Sequence, residues 1–183
     1  GMDDCYIRGK YRVGGMCGRL WNGGIIKNCY ITNSIVDGGD EVGGLIGESE
    51  KGSMIVNCYV NLSVLGDRWT VLLLGNNVGG IVGYNNGTTT AGSINTMVMN
   101  CMFYGDITNG STVSPVYGGK NIDNLNNGKT DGTSGLNNFN YYAYDKLKTK
   151  AISSYNCALA VEDKYLNRIE FYRLLLNSTK KLA

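Results

Sequence analysis

No histidine occurs in the 183 residues, and that absence removes His-based triads, imidazole general bases and the commonest zinc ligand together. Most hydrolase chemistry is thereby excluded. Charge is scarce as well: 17% of residues are charged and the formal net charge is +2. This is far from the concentrated positive field that a nucleic-acid partner requires. Long apolar runs are missing; the longest, "TVLLLG" from Thr70 to Gly75, is too short to cross a bilayer, so no membrane insertion by this segment is expected. Proline appears once, as Pro115, against 27 glycines. Tracts such as "NIDNLNNGKTDGTSGLNN" supply the Asn, Asp and Gly that tight turns use. With 43% hydrophobic residues, the chain has the length and composition of a packed domain of ordinary size. Gly1 ahead of Met2 reads as a residue left by tag removal, so a missing signal peptide says little about location.

What the chain has in abundance is one repeated pattern. "VGGMCG" at Val13, "VGGLIG" at Val42 and "VGGIVG" at Val78 are copies of each other, and "VYGG" at Val116 reads as a decayed fourth. Each is followed by a turn-rich stretch and a second element: "NCYITNSIV" from Asn28, "NCYVNLSVL" from Asn57, "NCMFYGDIT" from Asn100 and "NYYAYDKLK" from Asn140. "DCYIRGKYR" from Asp4 stands before them as half a repeat. The later units carry longer turns, and "DRWTVLLLGNN" is inserted between the second and third, as loops are inserted on a solenoid.

Alternation with period two makes strands of the second elements. In the second unit Val56, Cys58, Val60, Leu62 and Val64 share an inward face, and Asn57, Tyr59, Asn61 and Ser63 the outward one. Aligning the units stacks Cys5, Cys29, Cys58, Cys101 and Tyr141 in one inward ladder and Ile7, Ile31, Val60, Phe103 and Ala143 in the next. Tyr6, Tyr30, Tyr59, Met102 and Tyr142 then form an outward ladder beside Asp4, Asn28, Asn57, Asn100 and Asn140. The expected fold is all-β, a parallel β-solenoid of about four coils over residues 1–150. Residues 151–183 form a C-terminal cap, in which Val161, Tyr165, Leu166, Ile169, Tyr172 and Leu176 follow helical spacing.

The repeated "VGGLIG" to "NCYVN" unit resembles the GLUG motif of bacterial surface proteins over roughly Asp4 to Leu147, most closely in the units starting at Val42 and Val78. The resemblance implies a β-helix-like solenoid on a secreted or cell-surface protein, as in some adhesins and in the non-catalytic regions of immunoglobulin A-cleaving metallopeptidases. The metallopeptidase activity does not carry over, because its zinc motif needs histidines that are absent here.

Other motifs are weighed against their structural readings. The glycine loops lack the Lys-Ser/Thr pair of a phosphate loop: Arg19, Glu48 and Tyr84 follow the three copies. They read as corners and points of close backbone approach. No Cys-x-x-Cys occurs, and the separations of Cys5, Cys29 and Cys58 are repeat lengths, which favours buried, reduced thiols over a metal site. Cys17 and Cys157 fall outside the ladder. Asp37, Asp40, Glu41, Glu48, Glu50 and Asp67 lie in turns, where they serve as turn residues, as an acid and base pair, or as calcium ligands without a recognised spacing. Lys146, Lys148, Lys150, Lys180 and Lys181 read as a solvated face.

The functional lead is aromatic. Tyr6, Tyr30, Tyr59, Tyr104 and Tyr142, with Tyr144 and with Trp69 in an inserted loop, present flat amphipathic rings that stack on sugars or pack against protein, or else pack only on each other. The expectation is a non-enzymatic adhesion or recognition module for glycan or extracellular protein, without metal or cofactor. A carbohydrate-active β-helix enzyme using turn carboxylates, or a passive spacer, is the alternative.

Overall fold

The computed structural model describes residues 1–50, 52–66, 77–86, 96–108, 112–120, 140–147, 151–152 and 158–166. Trp69, Asp67, Cys157 and the predicted helical positions from Ile169 onward lie outside them. The chain is all-β, and every strand pairing among the described residues is parallel. The largest sheet runs through Tyr6–Gly14, Tyr30–Gly43, Tyr59–Gly66, Met102–Phe103, Tyr141–Ala143 and Leu159–Val161. A second sheet holds Cys17–Leu20, Ile46–Glu50, Val82–Asn86 and Tyr117–Lys120; a third holds Ile25–Lys27, Met54–Val56 and Met97–Met99. Thr112–Val113 and Ala151–Ile152 form a further pair.

Register follows the repeat. Val13 lies beside Val42 and Val42 beside Val78. Ile25 lies beside Met54 and Met54 beside Met97, so the longer third unit keeps its pairing despite its insertions. Inward side chains then stack like on like: Ile31, Val60, Phe103 and Tyr142 form one buried ladder, and Val36, Val64 and Ile107 another. Each such side chain contributes about 1.5–3 kcal/mol through burial. Five cysteines among the described residues are free thiols; Cys58 and Cys101 are buried, and each donates to the carbonyl two residues before it, Val56 and Met99. Burial pushes the Cys101 thiol up, which keeps it neutral.

The glycine copies work by close approach. A Cβ on Gly15 would collide with the Gly44 carbonyl oxygen, one on Gly44 with that of Gly80, and one on Gly80 with that of Pro115. None of these has positive φ; that conformation is taken by Asn28, Asn57 and Asn100, at φ 57°, 57° and 54°. Asparagine tolerates the left-handed region better than most residues. Here the side chains also chain together, Asn57 Nδ2 donating to Asn28 Oδ1 at 2.9 Å and Asn100 Nδ2 to Asn57 Oδ1 at 2.8 Å.

Three alignments and one element type read from the sequence are corrected. Tyr6 pairs with Ile35, not with Tyr30, which places Cys5 beside Ser34 and out of the cysteine ladder. The strand Tyr6–Gly14 is locked at its far end by Val13 on Val42, so its start cannot slide to match "DCY" with "NCY". In the fourth unit Tyr141 pairs with Met102, so Asn140, not Tyr141, fills the slot next to Cys101. Buried Asn140 satisfies its amide there by accepting from the Cys101 N–H and donating to the Val98 carbonyl. A slip of one residue exchanges the faces of a strand: Tyr142 becomes inward and Ala143 moves to the outer side. The fourth glycine copy is "VSPVYG", Tyr117 pairing with Val82 and Ser114 bridging to Gly79; Ser114 and Pro115 stand where the glycine pair stands elsewhere. Finally, Leu159–Val161 is a strand, and helix is confined to Tyr144–Leu147 and Asp163–Leu166 among the described residues.

Candidate functional site

The outward face of the large sheet combines aromatic rings with a polar groove. Along the second unit Tyr59, Asn61 and Ser63 point outward because Val60, Leu62 and Val64 are committed to the core. Tyr30 lies directly beside Tyr59, and Ile35 beside Ser63, which lies beside Asp106. Two irregularities hollow out this face. The pairing shifts register between Thr32 and Ser34, with Asn33 at φ 49°, as in a β-bulge. In the third unit the strand breaks after Phe103 and passes through Gly105, where a Cβ would strike the Leu62 carbonyl. The resulting groove of about 250 Å³ is lined by Asn33, Ser34, Ile35, Asn61, Leu62, Ser63, Gly105, Asp106 and Lys146.

The predicted aromatic residues divide among different places. Tyr30 is 50% exposed. Tyr59 and Tyr104 are half-buried against a small outer cluster of Met102, Ala143 and Leu166. The Tyr104 hydroxyl donates to Asp163 Oδ2 at 3.2 Å, and Lys146 Nζ sits 5.1 Å from its ring centre. Tyr6 is exposed but stands apart, donating to Asp37 Oδ2 at 2.7 Å. Tyr142 is buried in the inner ladder and presents no outward ring; burial raises its hydroxyl's pKa. The structure thus brings together Tyr30, Tyr59 and Tyr104 and separates Tyr6 and Tyr142 from them.

The carboxylates expected in turns lie instead in strands, Asp37, Asp40 and Glu41 in Tyr30–Gly43 and Glu48 and Glu50 in Ile46–Glu50, and they form a different assembly, which sequence reasoning missed. Glu48, 1% exposed, takes Arg12 Nε at 2.5 Å, Arg19 Nε at 2.9 Å and the Asn86 amide at 2.9 Å. Arg12 also pairs with Glu41 at 3.1 Å, and Arg19 with Glu50; the Arg19 guanidinium lies 4.0 Å over the Trp21 ring. Asp37 is buried beside Tyr6 and Arg8, and Asp40 accepts the backbone N–H of Glu41 and of Asn77. The signal was available: Arg12 and Glu41, like Arg19 and Glu48, occupy equivalent positions of neighbouring units. Among the described residues no three Cys, Asp or Glu side chains converge as metal ligands.

This assembly carries a pH prediction. Burial, then the charge of Glu48, push the Glu41 carboxyl up against the pull of Arg12, and the same carboxylates with burial push Tyr84 up. A carboxyl raised by folding supports the folded state while protonated. That support is complete below its ordinary value of 4.5 and is lost as pH rises through the folded value. Thermal scans should therefore show Glu41→Gln equal to the parent at about pH 3.5 and roughly 1–3 °C higher at about pH 7. A parent that gains on the variant as pH rises would contradict this sign.

A model of the GLUG motif matches residues 9–36, covering the first glycine copy and "NCYITNSIV". The match falls on the first unit, not on the units starting at Val42 and Val78, where the resemblance was expected to be closest. No curated protein and no solved structure matches the chain. The match, together with the glycine copies stacked in parallel register at Val13, Val42 and Val78, supports a GLUG-motif repeat protein.

Proposed function

We propose that this chain is a non-enzymatic recognition module, a parallel β-solenoid of about four coils. It acts on the surface of, or secreted from, a bacterial cell, and binds glycan or extracellular protein on the outward face of the large sheet. The observation that carries this reading is the adjacency of Tyr30 and Tyr59 to the groove formed by Asn61, Ser63, Asp106 and Lys146. Stacked tyrosines offer an apolar platform at low entropic cost, and the amides, hydroxyls and charges beside them offer directional hydrogen bonds to a sugar's hydroxyls. The carbohydrate-active alternative has less support, because Glu41, Glu48 and Glu50 are each paired with an arginine and none of them lines the groove.

Screening the chain against immobilised glycans and matrix proteins tests the proposal. Replacing Tyr30 and Tyr59 together by Ala is expected to weaken the captured ligand about tenfold or more, from roughly 0.5–1.5 kcal/mol per ring. Binding unchanged in the double variant would remove the tyrosine face, and no ligand at all would favour the spacer reading.

A further inference from the structure

The first unit leaves a second surface that the recognition face does not use. All three larger sheets end there: Tyr6–Gly14, Cys17–Leu20 and Ile25–Lys27 each have a strand neighbour on one side among the described residues. Positions that are covered in the second unit are open in the first. Ile46 is fully buried while its neighbour Cys17 is partly exposed, and Ile25 is 61%, Trp21 56% and Tyr11 50% exposed. The asparagine chain also has an open end, since Asn28 accepts from Asn57 and is itself exposed.

Charge says what fits. Between Cys5 and Val36 the sequence has Arg8, Lys10, Arg12, Arg19 and Lys27 and no carboxylate; the next unit has Asp37, Asp40, Glu41, Glu48 and Glu50, with Lys51 alone opposing them. The interface between these units is a basic edge laid on an acidic one, with Arg8 on Asp37, Arg12 on Glu41 and Glu48, and Arg19 on Glu48 and Glu50. The three arginine side chains remain 48%, 47% and 32% exposed. We infer that this edge is a docking edge for an acidic β-strand of another polypeptide, which adds in parallel to Tyr6–Gly14 with carboxylates opposite Arg8 and Arg12. A second copy meeting the edge head to head would set the same cations against each other, which is destabilising for directly opposed strands. Strand addition draws affinity from main-chain hydrogen bonds and selectivity from the side chains that alternate along the edge.

The probe is a labelled synthetic peptide with the sequence of Tyr30–Gly43, the acidic strand that already pairs with the other side of Tyr6–Gly14. The control is the same peptide with Lys at the positions of Asp37, Asp40 and Glu41. The acidic peptide is expected to bind the full chain at least tenfold more tightly than the control. The difference should shrink as salt shortens the Debye length from about 10 Å at 0.1 M to about 3 Å at 1 M. Hydrogen exchange of the Tyr6–Gly14 amides should slow severalfold on binding. Lys10→Glu with Lys27→Glu, which leaves the arginine pairs intact, should weaken the acidic peptide several-fold. Equal binding of the two peptides, absent protection of Tyr6–Gly14, or a concentration-dependent dimer of the chain that closes this edge would each overturn the inference.

Discussion

Gly44→Ala is expected to lower the stability of the chain by about 3 kcal/mol or more, the upper end of the range for overpacking. The added methyl would stand inside the van der Waals shell of the Gly80 carbonyl oxygen and 2.7 Å from Val60 Cγ1. That carbonyl cannot turn aside cheaply, because it accepts the Gly44 N–H at 3.1 Å and so belongs to the contact that joins the two units. Val60 cannot retreat either, being fully buried in the ladder between Ile31 and Phe103. For a domain of this length the loss corresponds to roughly 6–12 °C in Tm. Gly23→Ala is the informative control. Gly23 has φ +80°, and a methyl added there would find nothing within 4 Å, so only backbone strain opposes the substitution, at about 1–2 kcal/mol. Urea midpoints read both. If Gly44→Ala costs no more than Gly23→Ala, close approach between units is not why glycine stands in the repeated motif.

That pair of glycines also marks how far the sequence could be read. The copies starting at Val13, Val42 and Val78 were legible as units, and their glycines could be assigned to close backbone approach, because three similar segments in one chain need a shared structural reason. The alternation from Val56 to Val64 was legible for the same reason, since period two places Val60 and Leu62 inside and Tyr59 and Asn61 outside. What failed was alignment by resemblance where a copy had diverged. "DCYIR" looks like "NCYIT", but its strand continues without a break to Val13 and is held by that residue's partner. "VSPVYG" hides a fourth copy, because Ser114 and Pro115 replace the two residues by which the motif is recognised. Asn140 fills the cysteine slot by hydrogen bonding, so no apolar pattern announces the slip that turns Tyr142 inward. The groove beside Tyr59 depends on the bulge at Asn33 and the break at Gly105, two local departures from the repeat, and a reading built on periodicity averages such departures away.

The charged assembly, in contrast, follows from periodicity alone once side chains are read across units, and its central carboxylate supports the second large prediction. Glu48→Ala should cost about 3–4 kcal/mol, in the range for removing one partner of a buried ion pair. The carboxylate is 1% exposed, in ion-pair contact with Arg12 and Arg19 and hydrogen-bonded by the Asn86 amide, so its removal leaves two guanidinium groups and one amide donor facing a cavity. The arginines do not lose everything: Arg12 keeps Glu41, and Arg19 keeps Glu50 and the Trp21 ring. Both are also partly open to water, which holds the cost below that of stranding a fully buried cation. Glu48→Gln separates charge from packing. It keeps the volume and an oxygen to accept from Asn86, so it should recover about half of the loss if hydrogen bonding and packing dominate. If the ion pairs dominate, Gln should be nearly as costly as Ala, and raising salt should narrow its gap to the parent only slightly, because screening acts weakly on buried charges. Urea midpoints for the two variants at low and high salt discriminate these cases. A Glu48→Ala variant as stable as the parent would mean that the arginine chain joining the first two units is a surface ornament and that apolar ladders alone fix their stacking.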